Sequence, residues 1–330
     1  MKISLALCTY NGAQHLAEQL ASIAQQIRRP DELIVCDDHS TDGTAAIIQN
    51  FAKSADFEVR FYRNRQQLGS TQNFAKAIDL CNGDVIALCD QDDVWSSFKL
   101  ARLEEVFSSR PKVGLVFTNA LVVDQNLWPC GKHLWDWTFT SKEQRLVNKG
   151  RAFDVLTVRN VVTGATMAFR ANFKQFFTPI PEDSALIHDG WIALVIAATA
   201  EVSALSDPLI GYRQHADQQL GVVRSETRKS GLGSVDETAA GRKRYYAAEV
   251  RKLNHLLQRL EKARDSNEFL RLDDKIHVVR ALSAHYQVRG SMPTAWWQRC
   301  PFILNEVLTL RYHRYSKGLR SAVLDFVRTW

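Results

Sequence analysis

Apolar and polar positions alternate in blocks along the first part of the chain. Residues 3–8, 32–36, 59–62 and 85–89 are short and nearly continuously apolar, the pattern of strands buried on both faces. Between them apolar residues recur at helical spacing: Leu16, Leu20 and Ile23, then Ile47, Ile48 and Phe51, then Phe74, Ala77 and Ile78. Leu100, Leu103, Val106 and Phe107 mark a further helix. Strict strand–helix alternation predicts an α/β fold, a Rossmann-like, mostly parallel sheet with helices on both faces. Residues 113–118, 162–169 and 209–213 read as additional strands, and residues 192–198 as a buried helix with Asp189 near its start. The pattern breaks over 124–150, where Trp128, Trp135 and Trp137 either stack on a sugar ring or pack beneath a loop.

After about residue 221 the character changes. Residues 222–240 are polar and contain glycine and serine, which predicts a mobile loop or linker. Beyond them Val250, Leu253, Leu256, Leu257 and Leu260 predict an amphipathic helix, and 276–286 another. The expected organisation is a domain over 1–221 and a helical C-terminal region over 222–330. Charge follows the same division. Of 330 residues and a net charge of +6, residues 1–221 hold 21 Lys/Arg and 25 Asp/Glu (−4), whereas 222–330 hold 21 and 11 (+10). A basic region carrying Trp296, Trp297, Phe302 and Leu304 suits either a membrane surface or packing as a helical subdomain. Nucleic acid is suggested by this charge alone and is not an expected partner. The chain start runs directly into a strand-like segment, so no signal peptide is expected. Cys8, Cys36 and Cys89 sit in apolar runs without zinc spacing and read as core residues of a cytoplasmic protein.

The chemistry gathers at strand ends, where open α/β sheets bind ligands. Thr9 and Tyr10, Asp37 and Asp38, and Asp90, Asp92 and Asp93 each follow a strand. Three carboxylates within four residues are best tolerated beside a divalent cation. A nicotinamide-binding Gly-x-Gly-x-x-Gly is absent after the first strand, where Thr9-Tyr10-Asn11-Gly12-Ala13-Gln14 stands.

Taken in order, Cys8-Thr9-Tyr10-Asn11-Gly12, Asp37-Asp38-His39-Ser40-Thr41-Asp42-Gly43, Asn73-Phe74, Asp90-Gln91-Asp92-Asp93-Val94-Trp95, His188-Asp189-Gly190-Trp191 and Tyr212-Arg213-Gln214-His215 resemble the motif set of family 2 glycosyltransferases of the GT-A fold. The Asp90-Gln91-Asp92-Asp93-Val94-Trp95 and Tyr212-Arg213-Gln214-His215 forms look most like those of bacterial rhamnosyltransferases. The resemblance covers roughly the first 220 residues. It implies a nucleotide-sugar donor, dTDP-rhamnose or a UDP-hexose, a glycan or lipid-linked glycan acceptor, and a divalent Mg or Mn ion. By this resemblance Thr9, Tyr10, Asn73 and Asp90 line the nucleotide site, and Asp38 or Asp37 bonds the pyrimidine or ribose, Asp37-Asp38 being otherwise a helix cap. Asp92 ligates the metal, and His215 ligates it or bonds the diphosphate. Asp93, Trp95, Gly164 and Trp191 support the site. Asp189 is the general base of an inverting transfer, or else only a helix cap. Two departures bear on the donor: Ser70-Thr71-Gln72 lack an arginine common there, and Ala216-Asp217-Gln218-Gln219 replace a Gly/Asn-rich run. An inactive scaffold that assembles with other proteins is the non-enzymatic alternative.

Overall fold

The computed structural model describes residues 1–183, 185–215, 238–265 and 272–328. Strands β1 (Ile3–Thr9), β2 (Glu32–Asp37), β3 (Glu58–Arg63) and β4 (Val85–Cys89) alternate with helices α1 (Leu16–Ala24), α2 (Thr44–Ser54) and α3 (Ser70–Leu80). There follow β5 (Val94–Trp95), α4 (Lys99–Ser109), β6 (Val113–Val123), β7 (Pro129–His133), α5 (Trp135–Thr138), α6 (Ser141–Asn148), α7 (Ala152–Leu156), β8 (Met167–Arg170), α8 (Lys174–Phe177), α9 (His188–Thr199) and β9 (Glu201–Arg213). The sheet order is β3-β2-β1-β4-β8-β6-β9-β5, with β7 paired to β6. Ile3, Leu5, Leu7, Leu33, Val35, Val85 and Ala87 form a core with Leu16, Leu20 and Ile23 of α1 and Leu100, Leu103 and Phe107 of α4. Each Val, Leu, Ile or Phe side chain among these contributes roughly 1.5–3 kcal/mol on full burial.

Chain order reverses at β1, which pairs in parallel with β2 on one side and β4 on the other. The register sets Thr9 opposite Asp37 and Leu7 opposite Cys89, so three carboxyl ends finish together. This is the crevice position where doubly wound sheets take ligands.

Beyond β4 the sheet is mixed. β8 runs antiparallel to both β4 and β6, and β5 antiparallel to β9, while β6 and β9 are parallel. The expected strand over 162–169 is only half a strand. Gly164–Thr166 form a 3₁₀ turn, closed by Thr166 N and Oγ1 donating to Thr163 O at 2.9 and 2.7 Å. The Gly164 N–H points to a side chain instead of a neighbouring strand. The tryptophan segment is also structured. Trp135 is buried against Phe117 and Phe139, with ring centroids 5.6 and 5.0 Å away, while Trp128 is exposed.

The chain divides into two compact units, Met1–Ile180 with Ile187–Ser225, and Pro181–Leu186 with Glu226–Trp330. The second unit contains α10 (Ala239–Asp265), α11 (Leu272–Gly290), α12 (Trp296–Leu308), α13 (Arg311–Tyr315) and α14 (Leu319–Val327). Leu253, Leu256 and Leu260 of α10 and Ile276, Val279 and Leu282 of α11 are buried where these two helices pack. The expected boundary at 221, most of the expected linker over 222–240 and the Ala216-Asp217-Gln218-Gln219 stretch lie outside the described residues. Among the described residues no helix is long and apolar enough to cross a membrane.

Candidate active site

The turn after β1 is held by the turn after β2. Asn11 adopts a left-handed conformation (φ 47°), and its Oδ1 accepts from Thr41 N at 2.9 Å. Asn11 N donates to Ser40 Oγ, Gly12 N to Thr44 Oγ1 and Ala13 N to Asp42 Oδ2, at 2.9, 2.9 and 3.0 Å. Much of the Asp37–Thr44 motif therefore serves to join two strand ends.

The two adjacent aspartates of that motif have different surroundings. Asp37 is fully buried, accepts from Thr9 Oγ1 (2.9 Å), Ser40 N (3.0 Å) and Ser40 Oγ, and does not line the cavity described below. Asp38 does line it. Its carboxylate accepts from Asn64 Nδ2, Leu68 N and Gly69 N at 2.9, 2.7 and 2.8 Å, fixing the loop that enters α3. Asn73 also lines the cavity, with its amide spanning Cys36 O (2.8 Å) and Asn64 Nδ2 (2.9 Å).

The acidic loop after β4 is clamped at several points. Gln91 exchanges two hydrogen bonds with the Tyr10 backbone, N to Oε1 at 2.8 Å and Nε2 to O at 3.1 Å. Arg213, at the end of β9, is buried. It donates Nε to Asp92 O and Nη1 to Gln125 O, both at 2.6 Å, pairs Nη2 with Glu18, and gives its N–H to Asp93 Oδ1 at 3.0 Å. Asp93 is thereby a fully buried anchor, and burial with the Asp92 and Asp90 charges pushes its carboxyl well up. Trp95 is buried, its ring 3.7 Å below Lys99 Nζ. Asp90 and Asp92 remain toward the cavity. Burial, then the charges of Asp92 and Asp189, push Asp90 up to about 7.

Asp92 Oδ2 lies 2.9 Å from His215 Nε2. Two cis ligands of an octahedral ion with bonds of about 2.1 Å stand about 3 Å apart. A carboxylate oxygen and an imidazole nitrogen at this separation would fit a shared Mg or Mn ion. No cluster of three or more His, Cys, Asp or Glu side chains suited to a metal occurs among the described residues.

Asp189 opens α9, an apolar helix buried along nearly its whole length. Its Oδ1 accepts from Asn160 Nδ2 (3.1 Å) and from Gly190 N, while Oδ2 accepts, among the described residues, from Gly164 N alone (3.0 Å). A carboxylate oxygen accepts two hydrogen bonds, so Oδ2 retains a lone pair. Burial pushes this carboxyl up to about 6 against the pull of those donors. At Gly164 a Cβ would stand 3.2 Å from His188 Nε2 and 3.6 Å from Asp189 Oδ2, so glycine keeps the approach clear. Trp191 is buried behind the helix start, donating Nε1 to Phe177 O at 2.9 Å. His188 stacks on Phe74 with centroids 4.1 Å apart, and burial lowers its imidazole to about 3, leaving it neutral.

Thr9, Tyr10, Asp38, Asn73, Asp90, Asp92, Gly164, Asp189 and His215 all line one cavity of about 870 Å³, with the Tyr10 ring exposed at it. Such a volume suits a nucleotide-sized ligand. Residues 4–173 match the sequence model of the family described as Glycosyl transferase family 2. The chain belongs to glycosyl transferase family 2. A dTDP-rhamnosyl transferase, RfbG of Shigella flexneri, is 28% identical over 270 residues, covering 76% of this chain and 84% of that protein. An uncharacterized glycosyltransferase of Nostoc sp. is 33% identical over 118 residues, 35% of this chain and 36% of that protein. In fold the chain resembles S. aureus TarS 1–349 solved with UDP-GlcNAc, with TM-score 0.54 and 15% identity, covering 98% of this chain and 90% of TarS 1–349. The sheet of the first unit thus has the GT-A fold, and a helical C-terminal region follows it.

Three residues of this family 2 glycosyltransferase carry site-positioning contacts that sequence reasoning assigned to no role. Arg213 was visible only as part of a four-residue motif. Asn160 gave no sequence signal. Lys99 is fully buried and donates Nζ to Ala165 O at 2.7 Å, next to the Gly164 N–H that holds Asp189. Burial lowers its amine to about 7. A lysine among the apolar face residues of α4 was the available signal.

Proposed function

We propose that this chain transfers a sugar, with inversion, from a nucleoside-diphosphate donor to a hydroxyl of a glycan or lipid-linked glycan in surface polysaccharide synthesis. L-rhamnose from dTDP-rhamnose is the donor of choice, supported by the likeness to RfbG over most of this chain. The observation that carries the reading is one cavity lined by the Asp92–His215 pair and by the Asp189 carboxylate, whose Oδ2 has an acceptor position that the described residues leave unused.

Placement supports a role for each residue. Tyr10 offers an exposed ring for the base to stack on, and Asp38 borders the same region. Asp90 has no hydrogen-bond donor among the described residues and is free to accept from a ribose hydroxyl. Asp92 and His215 would hold the divalent ion, which when bound would offset charge on the departing diphosphate. Asp189 Oδ2 accepts the proton of the acceptor hydroxyl as its oxygen bonds to the anomeric carbon. The bond from that carbon to the phosphate oxygen breaks on the opposite face, and the electron pair leaves with the nucleoside diphosphate. Asn160, Gly164 and Gly190 keep the carboxylate oriented throughout.

Calorimetric titration with dTDP and with UDP, each with and without Mn²⁺, tests the donor and the metal together. Binding of dTDP that requires Mn²⁺ is expected, with Asp92→Ala losing at least about tenfold of the metal-dependent affinity. Preference for UDP would overturn the rhamnose assignment and leave a UDP-hexose. An unchanged metal requirement in Asp92→Ala would remove that residue from the ion. Folded protein that binds neither nucleotide would favour the inactive scaffold.

A further inference from the structure

A helix packed on a water-soluble protein turns its apolar stripe inward and its charges outward. α12 does the reverse. Trp297, Pro301, Leu304 and Leu308, spaced to share one face, are exposed, Trp297 to 61% and Leu308 to 72%. The buried positions of the same helix are Arg299 and Glu306. α14 repeats the inversion. Leu319, Val323 and Val327, four residues apart, are exposed, whereas Ser321, Ala322 and Asp325 are buried. The two helices pack against each other within the second unit.

The inner polar faces hold this orientation. Glu306 is buried between His285 Nδ1 and Arg311 Nη1. Asp325 accepts from Arg289 Nε and Nη2 at 2.6 and 2.9 Å and from Tyr312 Oη at 2.8 Å. Arg299 donates to Pro293 O at 2.7 Å and Phe326 O at 3.1 Å. Turning either helix to hide its apolar stripe would strand these buried charges without partners. The apolar stripes therefore stay outward by construction.

Charge decides what can cover them. Between residues 296 and 328 the two carboxylates, Glu306 and Asp325, are both buried and paired. Arg314, Lys317, Arg320 and Arg328 are exposed, and no exposed carboxylate accompanies them in that span. A second copy of this face would meet it with like charge. An anionic bilayer takes aliphatic side chains into its acyl boundary, seats Trp296 and Trp297 at the interface and pairs the basic residues with headgroups. We propose that the α12–α14 face is a peripheral docking surface for anionic lipid bilayers, an inference independent of the catalytic reading.

Flotation of the full chain with phosphatidylcholine vesicles, with and without phosphatidylglycerol, tests it. The chain is expected to float with the phosphatidylglycerol vesicles only, and less so as salt is raised. Leu304→Ser with Leu308→Ser and Val323→Ser should weaken binding at least about tenfold, and Arg314→Gln or Arg320→Gln about fivefold each. All five positions are exposed, so the circular dichroism spectrum should not change. A chain that floats with neither vesicle, or a triple serine variant that floats undiminished, overturns the proposal. Sedimentation in the absence of lipid provides the remaining arm: concentration-dependent self-association abolished by the serine changes would assign the face to a second copy instead.

Discussion

Asp189→Asn should lower turnover by about 10³-fold or more while leaving nucleoside-diphosphate affinity within about twofold. A positioned general base is worth about 10²–10⁴ in rate, and the asparagine keeps the volume but not the basicity. The pH dependence has a definite sign. Asp189 must be ionised to accept a proton, and burial raises its pKa from 3.8 to about 6. In the wild type kcat/KM should therefore fall as pH drops through about 6, reaching about one tenth of its plateau one unit lower, where an unshifted aspartate would still be ionised. Stability moves the other way. The folded state holds this proton more tightly than the unfolded chain, so Asp189 weighs against folding at neutral pH, and that cost recedes as pH falls from about 6 toward 3.8. Steady-state rates across pH, beside calorimetry on both proteins, check the claim. A residual activity in Asp189→Asn that keeps the same acid limb would place that titration on another group. Near-normal transfer would remove Asp189 from the base role altogether.

The second large effect is expected at Arg213. Its guanidinium reaches Asp92 O, Gln125 O and Glu18, and its backbone N–H reaches Asp93, so one side chain ties β9 to the acidic loop, to the turn after β6 and to α1. Arg213→Met leaves buried carbonyls without their charged donor and should destabilise the first unit by about 3–5 kcal/mol, read as a shift in its denaturant midpoint. Arg213→Lys should rescue little of this, because one ammonium cannot span acceptors that a planar fork reaches on several sides. Any protein that folds should show weakened metal-dependent nucleotide binding, since the Asp92 backbone is no longer held. An unchanged midpoint, or full rescue by lysine, would show that the clamp contributes little.

These two residues differ in how much of their role the sequence disclosed. Asp189 could be placed from the His188-Asp189-Gly190-Trp191 motif and the apolar run after it, which marked a buried helix start. The partners that hold it could not. Asn160 lies 29 residues away and Gly164 25 residues away, in a segment whose apolar pattern suggested a strand. That segment turns instead, because the Gly164 N–H is taken by a carboxylate and no longer belongs to a ladder. Arg213 pairs with a glutamate 195 residues earlier, and nothing local to either position marks the pairing.

Asp37 and Asp38 show the same limit at closer range. Successive residues at a strand end point to opposite sides. Sequence placed both at the site and left open which one faces it. In the structure Thr9 and Ser40 engage Asp37 as a buried tie, and Asp38 borders the cavity. The helices of the second unit repeat the problem on a larger scale. Apolar spacing identifies an amphipathic helix but does not say which face is covered, and in α12 and α14 the buried ion pairs decide it.

By itself, then, the sequence determined what depends on near neighbours. That covers the strand–helix alternation of residues 3–109, the clustering of acids at strand ends, and the motif order that marks a family 2 glycosyltransferase. Tertiary structure alone decided the antiparallel strands beyond β4, the selection between Asp37 and Asp38, the Arg213 clamp, the Asp92–His215 pair and the outward apolar faces of α12 and α14. The physical reason is range. Periodicity is set by backbone geometry over a few residues, whereas a buried polar group must find its partner wherever the fold brings one, 29 residues away for Asp189 and Asn160 and 195 for Arg213 and Glu18.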